Sequence, residues 1–178
     1  QPFATFDIAG HNTQLLVIDP IAGKKWAASM NTLPNTIQEQ LKSTNMEFYQ
    51  RGNILYLIGG YGYSDIEGDH TTFSNLTAID VPATINAIIS KIDFVTHFRQ
   101  LTDIQFQVSG GRLEKIGNTF YLVGGQKFFG RYNPMGPDHG PGFIQEYTNQ
   151  IRKFLISDDG TNITVSHLPS ITDEVNLH

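Results

Sequence analysis

Two segments of the chain share one pattern of apolar and polar positions. Residues 52–60 read GNILYLIGG and residues 117–125 read GNTFYLVGG. The second copy starts 65 positions after the first, since 117 − 52 = 65. Gly-Asn tolerates positive φ and is typical of a tight turn, and the five residues that follow are nearly all apolar, which favours a strand buried on both faces. A turn before each strand implies a partner strand, and residues 47–50 and 112–116 fit that role. Each unit is therefore predicted to open with a hairpin.

A second strand pair follows each Gly pair further along the chain. In the middle unit it begins at residues 75–80, and in the last unit it comprises residues 151–156 and 163–166. Near the N-terminus, residues 14–19 precede a turn and then residues 25–26, which we interpret as the same second hairpin without its first one. Each unit is thus four short antiparallel strands in about 65 residues, and such repetition is typical of a β-propeller.

The order of these features resembles the kelch repeat. An apolar strand ends in Gly-Gly in both nonapeptides, and the second half of the repeat, a strand ending in Asp followed by a turn and Trp, is present in residues 16–19 and Trp26. The later units lack the Trp. Residues 59–63, 76–82 and 147–154 look more narrowly like secreted kelch proteins of Bacteroidota, in which a propeller often precedes a type IX secretion sorting domain. The resemblance covers nearly all of the 178 residues and implies an all-β fold, a kelch-type β-propeller segment, in an extracellular or cell-surface protein.

The repeat divides the chain into about two and a half blades. Residues 1–34 form a partial blade with only strands c and d, 35–100 a second blade, 101–170 a third blade, and 171–178 the start of the next. Residues 81–90 have apolar positions at helical spacing, which predicts a short helix or an irregular outer strand in the second blade. Propellers usually have about four to eight blades, so these cannot close a ring. We expect the chain to be an excerpt of a longer polypeptide that supplies the others; self-assembly of fragments is the alternative.

Candidate chemistry lies in the two long connections between strands b and c, residues 61–72 and 126–145. Both are rich in aromatic residues and Gly, and long loops of this kind are usually functional or disordered. We predict a recognition surface there. Its ligand-binding residues are Tyr61, Tyr63, Asp65, Asp69, His70, Phe128, Phe129, Arg131, Tyr132 and Asn133. The alternative is that these rings pack against the neighbouring blade and cap the core.

Metal binding is not favoured at either loop. Asp65, Glu67 and Asp69 alternate around Gly68 and have the oxygen ligands that Ca²⁺ takes, but the later bidentate Glu of an EF-hand is absent, so a solvated acidic turn is preferred. Zinc needs three or four converging ligands, and the pair at 138–139, Asp-His, has no partners at a suitable spacing. We predict no metal and no cofactor.

Composition narrows the function classes. A net charge of −5 disfavours a non-specific grip on nucleic acid or anionic lipid, and no apolar run approaches the roughly 18 residues that cross a membrane. The absence of Cys excludes disulfides, thiolate metal sites and Cys nucleophiles. Neither a Gly-x-Ser-x-Gly elbow nor a Gly-Lys-Ser/Thr phosphate loop occurs.

We therefore predict a non-catalytic binding module rather than an enzyme. Its expected partner is another protein of a cell-surface assembly, or the remaining blades of the same polypeptide, bound through the loop face. One alternative is a carbohydrate-binding propeller that uses the aromatic loops. The other is a sugar-modifying enzyme whose catalytic residues lie mostly outside this segment.

Overall fold

The computed structural model describes residues 6, 10–134, 142–173 and 175. In this part of the chain, fourteen strands form four antiparallel sheets, joined by two α-helices and short 3₁₀ turns. The predicted all-β class is therefore confirmed. Neither of the two helices has the length or the apolar run that spanning a lipid bilayer requires.

Two of the sheets are the repeated units, and each is a four-stranded meander. The middle sheet consists of β3 (Glu47–Arg51), β4 (Ile54–Ile58), β7 (Asn75–Asp80) and β8 (Phe98–Thr102), in that order. The C-terminal sheet consists of β9 (Arg112–Ile116), β10 (Thr119–Val123), β13 (Gln150–Asp158) and β14 (Ile163–Thr172), also in that order. Both predicted opening hairpins are present, β3–β4 and β9–β10. Because β14 extends to Thr172, the boundary expected at residue 170 falls inside this strand.

A third, two-stranded sheet is the N-terminal hairpin, which pairs β1 (Gln14–Asp19) with β2 (Lys24–Ser29). Asp19 begins its turn by accepting hydrogen bonds from the backbone N–H groups of Ile21 and Ala22. This is the isolated second hairpin that the sequence predicts.

The two connections predicted as long loops are hairpins. Their strands are β5 (Tyr61–Ser64), β6 (Asp69–Thr72), β11 (Gln126–Phe129) and β12 (Ile144–Tyr147). The hairpins meet where β6 pairs with β11 at Thr71 and Phe129, which gives a fourth sheet of order β12-β11-β6-β5. We call it the bridging sheet, because it joins the middle and C-terminal sheets. Its pairing supplies hydrogen-bond partners to backbone groups that a buried loop would leave unpaired.

The main core lies between the middle and C-terminal sheets. Tyr56 and Ile58 of β4 pack with Phe120, Leu122 and Phe154 of the facing sheet, and all five side chains are fully buried. The Phe120 and Phe154 rings stack with 5.7 Å between centroids. Between the sheets, the Tyr56 and Phe120 rings meet edge-on with 5.7 Å between centroids. Burying one such side chain stabilises the fold by about 1.5–3 kcal/mol, so the contact of Tyr56 with Phe120 holds the two sheets in a fixed relation.

A second core covers the opposite face of the middle sheet. It includes helix α1 (Asn35–Lys42), which the sequence analysis did not predict, and helix α2 (Val81–Ser90), which confirms the helical alternative for that segment. The Asp80 side chain caps α2 by accepting a hydrogen bond from the N–H of Ala83 at 3.0 Å. The strand therefore passes directly into the helix at a residue that serves both elements.

Two outer faces of the fold remain partly uncovered. Leu16 and Ile18 of β1 are 62% and 67% exposed, and Leu155 of β13 is 38% exposed. On the same side of the C-terminal sheet, Tyr121 and Val123 are only half-buried. Apolar residues of this kind on a strand face would be covered by a neighbouring sheet in a longer array.

The Gly pairs adopt the left-handed backbone that the repeat predicts. Gly59 and Gly60 have φ of +65° and +99°, and Gly124 and Gly125 have φ of +59° and +88°. The connection from β8 to β9 passes close to the end of β4, where the Gly60 N–H donates to the carbonyl of Val108 at 2.8 Å. A Cβ on Gly59 would collide with that same carbonyl.

Replacing Gly59 by Ala should therefore destabilise the protein much more than replacing Gly52. Both residues have φ near +60°, so both variants carry the left-handed penalty of about 1–2 kcal/mol, but a Cβ on Gly52 meets nothing within 4 Å. The Gly59→Ala variant should lose about 1–3 kcal/mol more because of the collision. Urea unfolding of both variants measures the difference, and equal losses would show that the strand end tolerates a side chain.

Candidate functional site

The bridging sheet gathers several of the predicted site residues into one aromatic cluster. Its members are Phe6, Tyr61, Phe128, Tyr132 and Phe143. The Tyr61 and Phe128 ring centroids are 5.3 Å apart, and those of Phe128 and Tyr132 are 5.4 Å apart. Tyr61 is 2% exposed and Phe128 is 9% exposed, so most of the surface of these rings is buried in packing contacts. The packing alternative from the sequence describes them better than an open stacking platform does.

The Tyr61 hydroxyl connects the two hairpins. It donates a hydrogen bond to the carbonyl of Gly130 at 2.7 Å and accepts one from the N–H of Tyr132 at 2.7 Å. Burial raises the pKa of this hydroxyl to about 12, so it stays protonated and keeps its donor role at neutral pH. The role of Tyr61 is therefore structural: its hydroxyl links β5 to the segment that follows β11.

The other predicted residues divide between buried and exposed positions. His70 and Asn133 are 3% and 1% exposed, and the His70 Nε2 atom lies 2.7 Å from the carbonyl oxygen of Phe6. Tyr63, Phe129, Arg131 and Tyr132 are half-buried, whereas Asp65 and Asp69 are exposed. The ten predicted residues thus lie on the bridging sheet, in the turn between β5 and β6, or directly after β11, and they do not all face one ligand.

The acidic turn between β5 and β6 is fixed from below by Glu39 of α1. The Glu39 carboxylate accepts hydrogen bonds from the N–H groups of Asp65 and Ile66 at 2.9 and 3.2 Å, and from the Ser64 hydroxyl at 2.9 Å. Glu39 itself is 5% exposed. Within the described ranges no group of three or more His, Asp or Glu side chains converges as metal ligands would. The pair at 138–139 lies outside the described residues.

A small cavity opens beside the aromatic cluster. It has a volume of about 210 Å³, and its polar lining consists of Ser109 and the amides of Asn45, Gln126 and Gln145. Tyr61 and Phe128 form part of its apolar wall. Aromatic walls with amide groups suit a small polar ligand with an apolar face.

The two edges of the bridging sheet differ. At β5, the N–H and carbonyl of Tyr61 pair with Thr44 at 2.8 and 2.9 Å, so this edge is paired at its first residue. At β12, all four residues are exposed, and Ile144 is 60% exposed. Within the described residues no strand pairs with the outer side of β12. Sequence analysis missed this strand because four residues of mixed polarity give no clear alternation.

The hydrogen-bond pattern shows which groups of β12 face outward. Gln126 of β11 exchanges both backbone hydrogen bonds with Ser109, on the side of β11 away from β12. Backbone groups alternate along a strand, so Lys127 points toward β12 and its partner Glu146 points back. Gln145 comes directly before Glu146 on β12. Its N–H and carbonyl therefore point the other way, to the open edge.

Arg152 is a second residue that sequence analysis did not single out. It occupies β13 beside Leu122 of β10 and is 4% exposed. The available signal was strand alternation: in residues 151–156, IRKFLI, Arg152 lies on the face of Phe154 and Ile156, and a charge on such a core-facing side is unusual.

Replacing Tyr61 by Phe should destabilise the protein by about 1–3 kcal/mol, because the Gly130 carbonyl and the Tyr132 N–H lose their buried partner. Tyr63→Phe is the matched control on the same strand, since the Tyr63 hydroxyl has no hydrogen bond among the described residues; its change should stay within about 0.5 kcal/mol. Thermal and urea unfolding give both values. Similar losses in the two variants would contradict the role of the Tyr61 hydroxyl.

Comparison with known proteins adds no assignment to this site. No protein-family model matches the chain, and no curated protein matches it significantly in sequence. The function proposed below therefore rests on the residues of the chain itself.

Proposed function

We propose that the chain is a kelch-type propeller segment of an extracellular or cell-surface protein, and that it works as a non-catalytic binding module. Two successive four-stranded meanders with a Gly pair at the same strand end support the propeller. The uncovered apolar faces at Leu16 and Leu155 support it as well, because neighbouring blades would bury them.

The partner we propose is a protein that adds an extended segment to β12. The observation that carries this proposal is the open edge of β12, with the Gln145 backbone groups facing outward beside the exposed Ile144. In strand addition, backbone hydrogen bonds supply affinity and alternate side chains supply specificity. Natural proteins usually protect such edges unless a partner uses them.

The edge is held in place before any partner binds. The Tyr61 hydroxyl joins the two hairpins, and Glu39 fixes the far turn of the same sheet. An edge that is already ordered costs little conformational entropy on binding, which favours strand addition there over binding by a mobile loop.

Carbohydrate binding is the second candidate, and the cavity of about 210 Å³ favours it. The aromatic wall and the amides of Asn45 and Gln126 would face the ring and hydroxyl groups of one sugar residue. The protein partner is preferred because Tyr61 and Phe128 are buried and offer no broad stacking surface.

Short random peptides displayed on phage, selected against the full chain, test the protein partner. Peptides that add to β12 should bind the Gln145→Pro variant about tenfold more weakly or worse, because Pro removes the outward N–H. Gln145→Ala removes the same side chain but keeps the N–H, so it should bind nearly as the parent does. Hydrogen exchange should show protection of the Gln145 amide in the complex.

Two outcomes would overturn strand addition at β12. Either the selected peptides bind Gln145→Pro and Gln145→Ala equally well, or the selection yields no binders. Binding of a neutral sugar that is abolished by substitution of Asn45 would support the carbohydrate candidate instead.

A further inference from the structure

The Arg152 guanidinium is buried and only partly hydrogen-bonded. Its Nη1 donates to the carbonyl of Gln105, but Nε and Nη2 have no partner among the described residues. Burial lowers the pKa of Arg152 to about 10, and the charge of Glu47 acts in the opposite direction, so the group remains a cation at neutral pH. Buried polar groups are normally satisfied, and two unpaired donors on one cation require an explanation.

The corresponding position of the middle sheet is fully satisfied. Thr77 pairs with Leu57 as Arg152 pairs with Leu122, and its hydroxyl donates to the Gln40 side chain at 2.6 Å. Gln40 in turn donates to the carbonyls of Gly59 and Asn75, at 3.1 and 3.0 Å. The Gln40 side chain therefore satisfies the buried polar groups at this place in the middle unit. At the equivalent place in the C-terminal unit, the Arg152 cation keeps two N–H groups without a partner among the described residues.

Arg152 lines a cavity of about 370 Å³ between the C-terminal sheet and the bridging sheet. Lys127 of β11 is the second cation in its lining, and the side chains of Gln105, Gln150 and Ser170 are among the neutral polar groups. Among the described residues no carboxylate lines it. Neither cation forms an ion pair within 4.0 Å in the described part of the chain.

The nearest compensating charge is already engaged elsewhere. Glu47, which is 6% exposed, accepts a hydrogen bond from the N–H of Gly111 at 2.7 Å. It offsets part of the Arg152 charge at a distance, so the lining, with Lys127 as its second cation, keeps an excess of positive charge. A monoanion would balance that excess, whereas a dianion would be repelled by Glu47.

We propose that this cavity binds a small hydroxylated carboxylic acid, of the size and chemistry of a hexuronic acid. The carboxylate would lie between Arg152 and Lys127, because guanidinium and ammonium groups are its natural partners. The amides of Gln105 and Gln150 would then bind hydroxyl groups. The cavity is several times larger than a bare inorganic anion needs, and its neutral polar lining suits a ligand with more than one polar group. Tyr147 at the end of β12 also lines this cavity, but the site does not depend on the function proposed above.

Calorimetric titration of the full chain at low salt tests the site, with glucuronate, glucose and inorganic phosphate as probes. Glucuronate should bind saturably, and glucose and phosphate at least about tenfold more weakly. Lys127→Gln should weaken glucuronate binding about fivefold or more. Lys153→Gln is the matched control, because it removes the same charge from the next residue of β13, which points to the opposite face.

A second variant and a spectroscopic readout address Arg152 directly. Arg152→Met should abolish glucuronate binding if the variant folds, and in the parent protein the Arg152 Nε–H resonance should shift on titration. The proposal is overturned if glucuronate does not saturate, if phosphate binds as tightly, or if Lys127→Gln and Lys153→Gln have equal effects. Because Lys127 is only half-buried, the test stands even where Arg152→Met does not fold.

Discussion

The packing of the middle sheet against the C-terminal sheet is the contact on which the other features depend. The two hairpins of the bridging sheet come from different sheets, and β6 and β11 meet at the single pair of Thr71 and Phe129. So short a pairing would be marginal alone. It forms because the buried rings of Tyr56, Phe120 and Phe154 already hold the parent sheets together. The β12 edge and the Arg152 cavity both follow from that arrangement.

Buried polar groups then fix the connections on this scaffold. Gln40 closes the strand ends of the middle sheet, Glu39 holds the acidic turn, and the Tyr61 hydroxyl joins the hairpins. Each of these groups is satisfied by several partners, which is how a polar side chain repays its loss of water. Arg152 departs from that rule, and this contrast within one chain makes its cavity stand out.

The repeated strands could be predicted from the sequence because their apolar run, turn and Gly pair all indicate the same structure. Helix α1 could not, because only Ile37 and Leu41 mark its apolar face and Pro34 precedes it without a capping side chain. The bridging sheet was missed for another reason. Its strands are four residues long, and β6 and β11 pair only because the tertiary fold places them together. The predicted site residues lie on this sheet or next to it, and the sequence, which left binding and packing open as alternatives, could not show which of them are buried.

Repetition also explains why binding features concentrate in the connections. The middle and C-terminal sheets share strand order, Gly geometry and core packing, so neither sheet alone distinguishes one unit from the other. The units differ at one equivalent strand position and in the side chain that faces it: Thr77 with Gln40 in one unit, Arg152 with Lys127 in the other. Selection can alter such positions without disturbing the apolar contact that holds the sheets together. Function in a scaffold of this kind is therefore best sought where equivalent positions of its units cease to match.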